Sequence, residues 1–404
     1  MLESIREVRR LRPDWQLSVV MLAEGPLRQA LADLGAHVEV VALPAAAAAK
    51  GDSPTAGTLA DPANASVKPA RAWRPISAGL DGMRFLRFLS QLRTAIKRLN
   101  PDLIHSNGIK SHLCLALALR PRCPIVWHIH DFVSHRPQWV QRLIRWASGR
   151  ASVAIAISRA VERDIAGVAP RLPVQHVENA VDTQRFVPGT GRPRELDREA
   201  GLDPDVARVR IGLVATYANW KGQDVFLKAI QRCPTVSGYV IGGPIYTTAG
   251  SQWAESDLRQ QAESLGISDR VGWIGFQSDP VWIYQSLDVV VHASTRPEPF
   301  GLTIVEAMAC GRAVIVSNSG GAAELFTPMH DAVGHPPGDV NALAHWIGRL
   351  ADDAGLRNRL GENARKTVLQ RFASDRFGRE LIAAYTSVLT SSTRQPVNRR
   401  VVRR

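Results

Sequence analysis

Short apolar runs alternate with amphipathic stretches along most of the chain. "LSVVML" (17–22) is a strand-length apolar run, and "GPLRQALADLG" after it has helical spacing with a glycine stop. "HVEVVALP" reads as a strand again. "MRFLRFLSQLRTAIKRLN" then places Phe85, Leu89, Leu92, Ile96 and Leu99 on one helical face. "PDLIHSNG", "PIVWHIHDF", "ASVAIAIS" and "PVQHVENAVD" continue the strand series, the first two ending in polar residues. A second series runs through "VRIGLVATY", "SGYVIGG", "RVGWIGF", "LDVVVHAS" and "AVIVSN". Apolar strands with helices between them predict doubly wound parallel sheets, one for each series.

The breaks in the pattern divide the chain. Residues 1–187 form the expected N-terminal domain, and 44–78, rich in Ala, Pro, Gly and Ser, a flexible insertion within it. The polar, Pro- and Gly-rich stretch 188–208 is the expected linker. A C-terminal domain covers 209–371, a last helix 372–389, and a disordered basic tail 390–404. Two such sheets leave ligands at the carboxyl ends of their strands.

Composition narrows the class. The 404 residues are 45% hydrophobic and 22% charged, ordinary for a globular two-domain chain. The four cysteines are far apart and form no Cys-x-x-Cys pair, so a zinc site or disulfide framework is not expected. No run reaches the roughly 20 apolar residues of a membrane span. A net charge of +13 raises nucleic acid or an anionic surface as partners. The charge is spread out, and no zinc finger, RNP strand or helix-turn-helix accompanies it. Nucleic acid is therefore not an expected partner.

"RPEPFGLTIVEAMACG" (296–311) carries the most chemistry. Pro297 and Pro299 stiffen a loop, Gly301 lets backbone approach a ligand, and a helix should begin near Leu302 or Thr303. Its unpaired N–H groups and positive dipole end suit a phosphate. Glu298 precedes that helix, and Glu306, about one turn inside, could accept two ribose hydroxyls. A second reading stays open, because Thr303-x-x-Glu306 is also a capping box. "SNSGGAAELF" repeats the strand, paired-glycine and helix order, and Lys221 stands at a strand's carboxyl end as a compact charge for a diphosphate. Neither Gly-x-x-x-x-Gly-Lys-Ser/Thr nor a Gly-x-Gly-x-x-Gly after a strand is present.

"PEPFGLTIVEAMACGRAVIVSNSGGAAELF" resembles the nucleotide-sugar segment of the family 4 glycosyltransferases, the retaining group with the GT-B fold. "HIHDF", "AIAISRAVERDI", "VENAVDTQRF", "WKGQDVFLKAI", "VIGGP", "LGISDRVGWIGF" and "PPGDVNALAHWI" agree in order, over roughly residues 15–385. The resemblance implies an α/β chain of two Rossmann-like doubly wound domains facing a central cleft. It implies a cytoplasmic, hexosyltransferase-type enzyme of cell-envelope polysaccharide synthesis that needs neither metal nor cofactor, the nucleotide sugar being substrate.

Residue by residue, the family's Glu-x7-Glu motif falls on Glu298 and Glu306, and its diphosphate lysine on Lys221. Its sugar- and diphosphate-holding backbone falls on Phe300, Gly301, Leu302 and Thr303. Gly243, Val271 and Gly275 fall on the donor side, the strand from Val271 presenting backbone to the base. His130 falls at the reacting centre, with Glu298 and Lys221 as the other catalytic positions. His105, Asn107 and Asp131 fall on the acceptor side, the acceptor being a glycan or a lipid-linked sugar. Three positions depart from the family. Thr216 replaces a second diphosphate arginine, Ala332 replaces a glycine, and the family's first strand and glycine-rich loop have no counterpart ahead of the first helix. An epimerase acting on nucleotide sugars, or a non-catalytic binder of them, would share these features.

"RPQWVQRLIRWASGR" (136–150) spaces Trp139, Leu143 and Trp146 helically among Arg136, Arg142, Arg145 and Arg150. This pattern suits a helix lying on an anionic membrane surface, and equally one packed on its own sheet.

Overall fold

The computed structural model describes residues 1–48, 75–119, 123–204, 208–244 and 251–393. They fall into two compact units: Met1–Ala156 with Glu162–Val177 and Gly378–Arg404, and Ile157–Val161 with Glu178–Phe377.

In the first unit β1 (Ser18–Met21) and β2 (His37–Val40) form a parallel pair. A separate parallel sheet holds β3 (Ile104–Asn107), β4 (Ile125–Ile129), β5 (Val153–Ala156) and β6 (Val174–His176) in sequential order. The single sheet expected here is thus two sheets among the described residues. They share a core: Val20 of β1, Leu43 after β2 and Ile104 of β3 pack on one cluster with Phe88, Leu92, Ala95 and Ile96. Those four form the buried stripe of the helix Pro75–Leu99, and Phe85 and Leu89 lie at its edge. The expected insertion begins in a short helix, Ala45–Ala48, and its last residues join Pro75–Leu99. Residues 49–74 lie outside the described residues, as does the tail from 394.

Among the described residues the second unit holds six parallel strands: β7 (Val209–Val214), β8 (Val236–Ile241), β9 (Val271–Ile274), β10 (Val289–His292), β11 (Ala313–Ser317) and β12 (Val333–His335). Their order is β12-β11-β10-β7-β8-β9. Every residue of β8, β10 and β11 is buried, as a sheet covered on both faces requires. The chain leaves β7 toward β8 and later returns on its other side as β10, so the loops after β7 and β10 flank the switch point where α/β sheets bind ligands.

The expected linker belongs to this unit. Residues 193–199 form a helix opened by Pro193, with Leu196 fully buried. Asp197 accepts two hydrogen bonds from Arg210 at 2.9 and 2.7 Å and one from the Tyr239 hydroxyl at 2.5 Å, tying the helix to β7 and β8. The glycines before it serve contact rather than flexibility: a Cβ on Gly191 would lie 2.2 Å from the Gln285 carbonyl oxygen. Polar composition misleads here because the polar partners lie on distant strands. The second unit accordingly takes over at Glu178 rather than at 188. The last helix runs Ser374–Thr393, its residues from Gly378 grouping with the first unit.

Removing one partner of a buried pair leaves the other charge uncompensated. Asp197→Ala should therefore destabilise the chain by about 3–5 kcal/mol, read as a lower midpoint in urea unfolding; a midpoint unchanged from wild type would refute the pair's role.

Candidate donor site

Lys221 ends the single 3₁₀ turn Asn219–Lys221 after β7. Gly222 follows at φ +76°, and a Cβ there would lie 2.0 Å from the carbonyl oxygen of Ala293, just past β10. Only glycine allows both that dihedral and that approach. The Trp220 carbonyl accepts the Thr295 N–H at 2.8 Å, stitching the two loops together.

From the other side, Glu298 is held by backbone. Its carbonyl accepts the Gly321 N–H at 2.7 Å, and its N–H donates to Ser319 at 3.3 Å. A Cβ on Gly320 would meet the Glu298 carbonyl at 2.6 Å, and one on Gly321 the Pro299 carbonyl at 2.0 Å. This corrects the expectation that "SNSGGAAELF" offers a second anion-binding helix tip. Gly321–Glu324 is a four-residue 3₁₀ turn, and its glycines exist to receive the 297–299 loop. The Glu324 carboxylate turns away to accept the N–H groups of Arg159 and Ala160, both at 2.8 Å.

These two supports bring Lys221 and Glu298 into an ion pair, Nζ to Oε2 at 2.7 Å. The same oxygen accepts the Ser294 hydroxyl at 3.0 Å and lies 3.3 Å from His292 Nε2. Burial alone would raise the Glu298 carboxyl. The Lys221 ammonium and the His292 hydrogen bond outweigh it and hold the group well below the usual carboxylate range. Sequence reasoning missed His292 and Ser294, although two polar residues two apart at the end of "VVVHAS" share a strand face and could have been noticed.

The helix predicted from Leu302 or Thr303 runs Leu302–Ala309, with Gly301 as its N-cap at φ +108°. No side chain caps it, so Thr303 lies inside the helix and the capping-box reading fails. The N–H groups of Phe300, Gly301, Leu302 and Thr303 find no acceptor among the described residues. The Phe300 ring anchors the loop, edge-on to Phe372 at 6.0 Å.

Glu306 sits one turn in, as expected. Its Oε2 accepts the Tyr284 hydroxyl at 2.7 Å. Burial pushes its carboxyl up to about 6, against the opposing effects of that hydrogen bond and of the Arg185 charge. Gly243 closes β8, its carbonyl accepting the Tyr217 N–H at 3.1 Å, and Gly275 lies open after β9 beside the exposed Phe276. Val271 does not join them. It starts β9, at the sheet edge opposite these loops, with its side chain in the core. Thr216, standing for the family arginine, accepts a Gln223 side-chain hydrogen bond through its carbonyl at 2.7 Å.

In the first unit His130 follows β4 half-buried, and its Nε2 has no partner among the described residues. Its ring lies 4.2 Å from that of His128, which lies 5.2 Å from His105. The Tyr385 hydroxyl stands 2.7 Å from His105 Nδ1. Burial, joined by the neighbouring positive groups, depresses His105 to about 3 and His130 to about 4, so both are neutral near pH 7. The Asn107 carbonyl accepts the Ser111 hydroxyl at 3.1 Å, closing a turn, and Asp131 is exposed, 3.5 Å from Arg136. Tyr385 was not foreseen, being 280 residues from His105 in the chain.

Parallel sheets of this kind, one set in each unit, are the fold of the GT-B glycosyltransferases. The same fold is seen in Anabaena Alr3699/HepE, solved in complex with UDP and glucose, at TM-score 0.76 and 24% identity over 96% of this chain and 95% of that one. It recurs in a sucrose-phosphate synthase from Thermosynechococcus elongatus, at TM-score 0.70 and 20% identity over 94% and 97%. The family model described as "Glycosyl transferases group 1" matches residues 201–367 and that described as "Glycosyltransferase Family 4" matches residues 27–185. The chain belongs to the family 4, group 1 glycosyltransferases.

Among curated relatives, a lipopolysaccharide core biosynthesis mannosyltransferase, LpsB, of Rhizobium meliloti is 29% identical over 52% of this chain. A D-inositol 3-phosphate glycosyltransferase of Salinispora tropica is 32% identical, also over 52%. The matched stretches span 60% and 45% of those two proteins.

Because folding raises Glu306 from 4.5 to about 6, its contribution to stability is present below pH 4.5 and lost as pH rises through about 6. Glu306→Gln should therefore stabilise the chain by about 1–2 kcal/mol near pH 8 and by nothing near pH 4.5. Thermal unfolding at both pH values checks this; an equal effect at both would contradict it.

Proposed function

We propose that this protein transfers a hexose from a nucleotide sugar to a glycan or lipid-linked acceptor of the cell envelope, with retention of anomeric configuration and without a metal ion. One observation carries the reading: four unpaired N–H groups at the tip of the Leu302 helix follow directly on the paired Glu298 and Lys221 at the sheet's switch point. The diphosphate takes the N–H groups and the two donors that Lys221 has left after Glu298. Glu298, through its unengaged Oε1, takes sugar hydroxyls, and Glu306 takes the ribose.

In the reaction the bond from the anomeric carbon to the diphosphate oxygen breaks, and a bond to the acceptor oxygen forms on the same face. The acceptor's proton passes to the departing diphosphate. The chain then has to stabilise a growing negative charge and an oxocarbenium-like sugar, and preorganised donors do this without reorganisation. His130, neutral with a free ring nitrogen, is suited to bind an acceptor hydroxyl. The sugar chemistry named for the LpsB relative supports an envelope glycan as product.

A lipid-linked acceptor has a specific observation in its favour. The helix Gln138–Ser148 buries Val140, Ile144 and Ala147 and leaves Trp139 63% and Trp146 48% exposed beside exposed Arg142 and Arg145. Among the described residues no helix is long and apolar enough to cross a membrane. This exposed face suits the surface of an anionic bilayer. Replacing Trp139 and Trp146 together by Ser should reduce co-sedimentation with phosphatidylglycerol vesicles and leave zwitterionic vesicles unbound by either form. Equal sedimentation of both forms removes the membrane from the reading.

The central test is a panel of UDP-, GDP- and ADP-sugars in thermal shift, then turnover with the tightest. A donor at about a hundred times its Kd adds roughly 2.7 kcal/mol. Lys221→Ala and Glu298→Ala should each lower kcat by about 10²–10³ while changing donor Kd far less, and the product should keep the donor's anomeric configuration by NMR and form in EDTA. An altered nucleotide sugar without acceptor would mark an epimerase, and binding without any turnover a non-catalytic relative.

A further inference from the structure

We infer that Tyr284 is a positioning residue of the donor site: its hydroxyl fixes one oxygen of Glu306 so that the other faces the vicinal hydroxyls of the donor ribose. This rests on the donor reading above and adds to it a residue outside every motif that pointed there.

Glu306 Oε2 is 2.7 Å from the Tyr284 hydroxyl, and Oε1 has no hydrogen bond among the described residues. Tyr284 itself cannot move. It is fully buried in the short helix Val281–Ser286, its ring tilted against Phe186 at 6.1 Å. A buried phenol must find a partner, and this one has no other among the described residues. A free glutamate side chain loses rotamer entropy when a ligand immobilises it. Held by a fixed phenol, Glu306 loses that freedom on folding instead of on binding.

The second oxygen stays open: Glu306 is only partly buried and its Oε1 is not sealed from solvent, so water serves it in the free protein and a ligand hydroxyl can take that water's place.

The groups around Glu306 are few. Tyr284 faces it from one helix, Arg185 acts from the loop before Phe186, and Cys310 lies one turn on in the same helix. The Arg185 guanidinium is already engaged by Asp279 at 2.8 Å, and burial keeps the Cys310 thiol neutral, at about 12. The Tyr284 hydroxyl is therefore the one directed donor that favours the ionised carboxylate. Without it the carboxyl should rise further above 6, and ribose binding, which needs the carboxylate, should fail at a higher pH.

The experiment measures calorimetric binding of UDP, GDP and ADP from about pH 5 to about pH 8. Wild type, Tyr284→Phe, Glu306→Gln and the double variant are compared. Wild-type affinity for the nucleotide that binds should fall as pH drops through about 6. Tyr284→Phe should shift that fall upward by about one unit, making binding roughly tenfold weaker within the window. In the Glu306→Gln background only the pH dependence of the nucleotide's own terminal phosphate, which titrates near about 6, should remain, and adding Tyr284→Phe should change nothing further. If Glu306→Gln weakens binding but Tyr284→Phe keeps the wild-type curve, the positioning role is wrong and the donor reading survives. If Glu306→Gln binds every nucleotide as wild type does at all pH values, the donor reading of Glu306 falls, and this inference with it.

Discussion

Three donors meet on one carboxylate oxygen, and the second unit's site depends on that meeting. Glu298 Oε2 takes the Lys221 ammonium, the Ser294 hydroxyl and His292 Nε2. Burying an ion pair is unfavourable unless its remaining hydrogen-bonding capacity is met, and here one oxygen meets it on the protein side. The chain contributes three separate loops to do so: after β7, after β10 and after β11. Each loop junction is a place where backbone touches backbone. Gly222 presses on Ala293, and Gly320 on Glu298. A methyl group at either glycine would part the loops, so the chemistry of the pair rests on side chains that are absent.

The two glutamates of one motif end in opposite electrostatic states. Both are largely removed from water, which by itself raises a carboxyl. Glu298 has a full cation at 2.7 Å and is held ionised far below neutrality. Glu306 has only a phenol and a partly engaged arginine nearby, and is left near 6. One is a fixed anion, the other a group that titrates close to physiological pH. Their difference follows from what the neighbouring loops supply to each.

How much of this was legible in the sequence can be judged element by element. The strands and their parallel pairing were legible, because a fully buried strand such as β10 must be apolar throughout. The helix from Leu302 and the place of Lys221 at a strand's carboxyl end followed from glycines and strand ends; its ion pair with Glu298 did not, because it joins loops 77 residues apart. Tyr284 was not legible: "VWIYQS" has no periodicity that marks its one polar atom. The helix at 193–199 was hidden because Asp197 finds Arg210 and Tyr239 only after folding. Val271 was drawn into the site by its motif, which runs the length of β9, while a parallel sheet offers ligands only the strand's far end. The paired glycines at 320 and 321 were read as a phosphate loop because steric relief and ligand approach call for the same residue.

The net charge of +13 does not gather at either set of candidate residues. Lys221 is matched by Glu298, Arg185 by Asp279, and the imidazoles of His105 and His130 are neutral. Where the family carries a further arginine, Thr216 offers a carbonyl that is already occupied. A diphosphate here would therefore be held chiefly by directed N–H groups and one shared ammonium. Such dipoles weaken little with salt when buried, whereas a surface field is screened within about 8 Å at physiological ionic strength. Directed N–H groups therefore give the site a short-range, salt-tolerant grip that does not depend on the net charge of the chain.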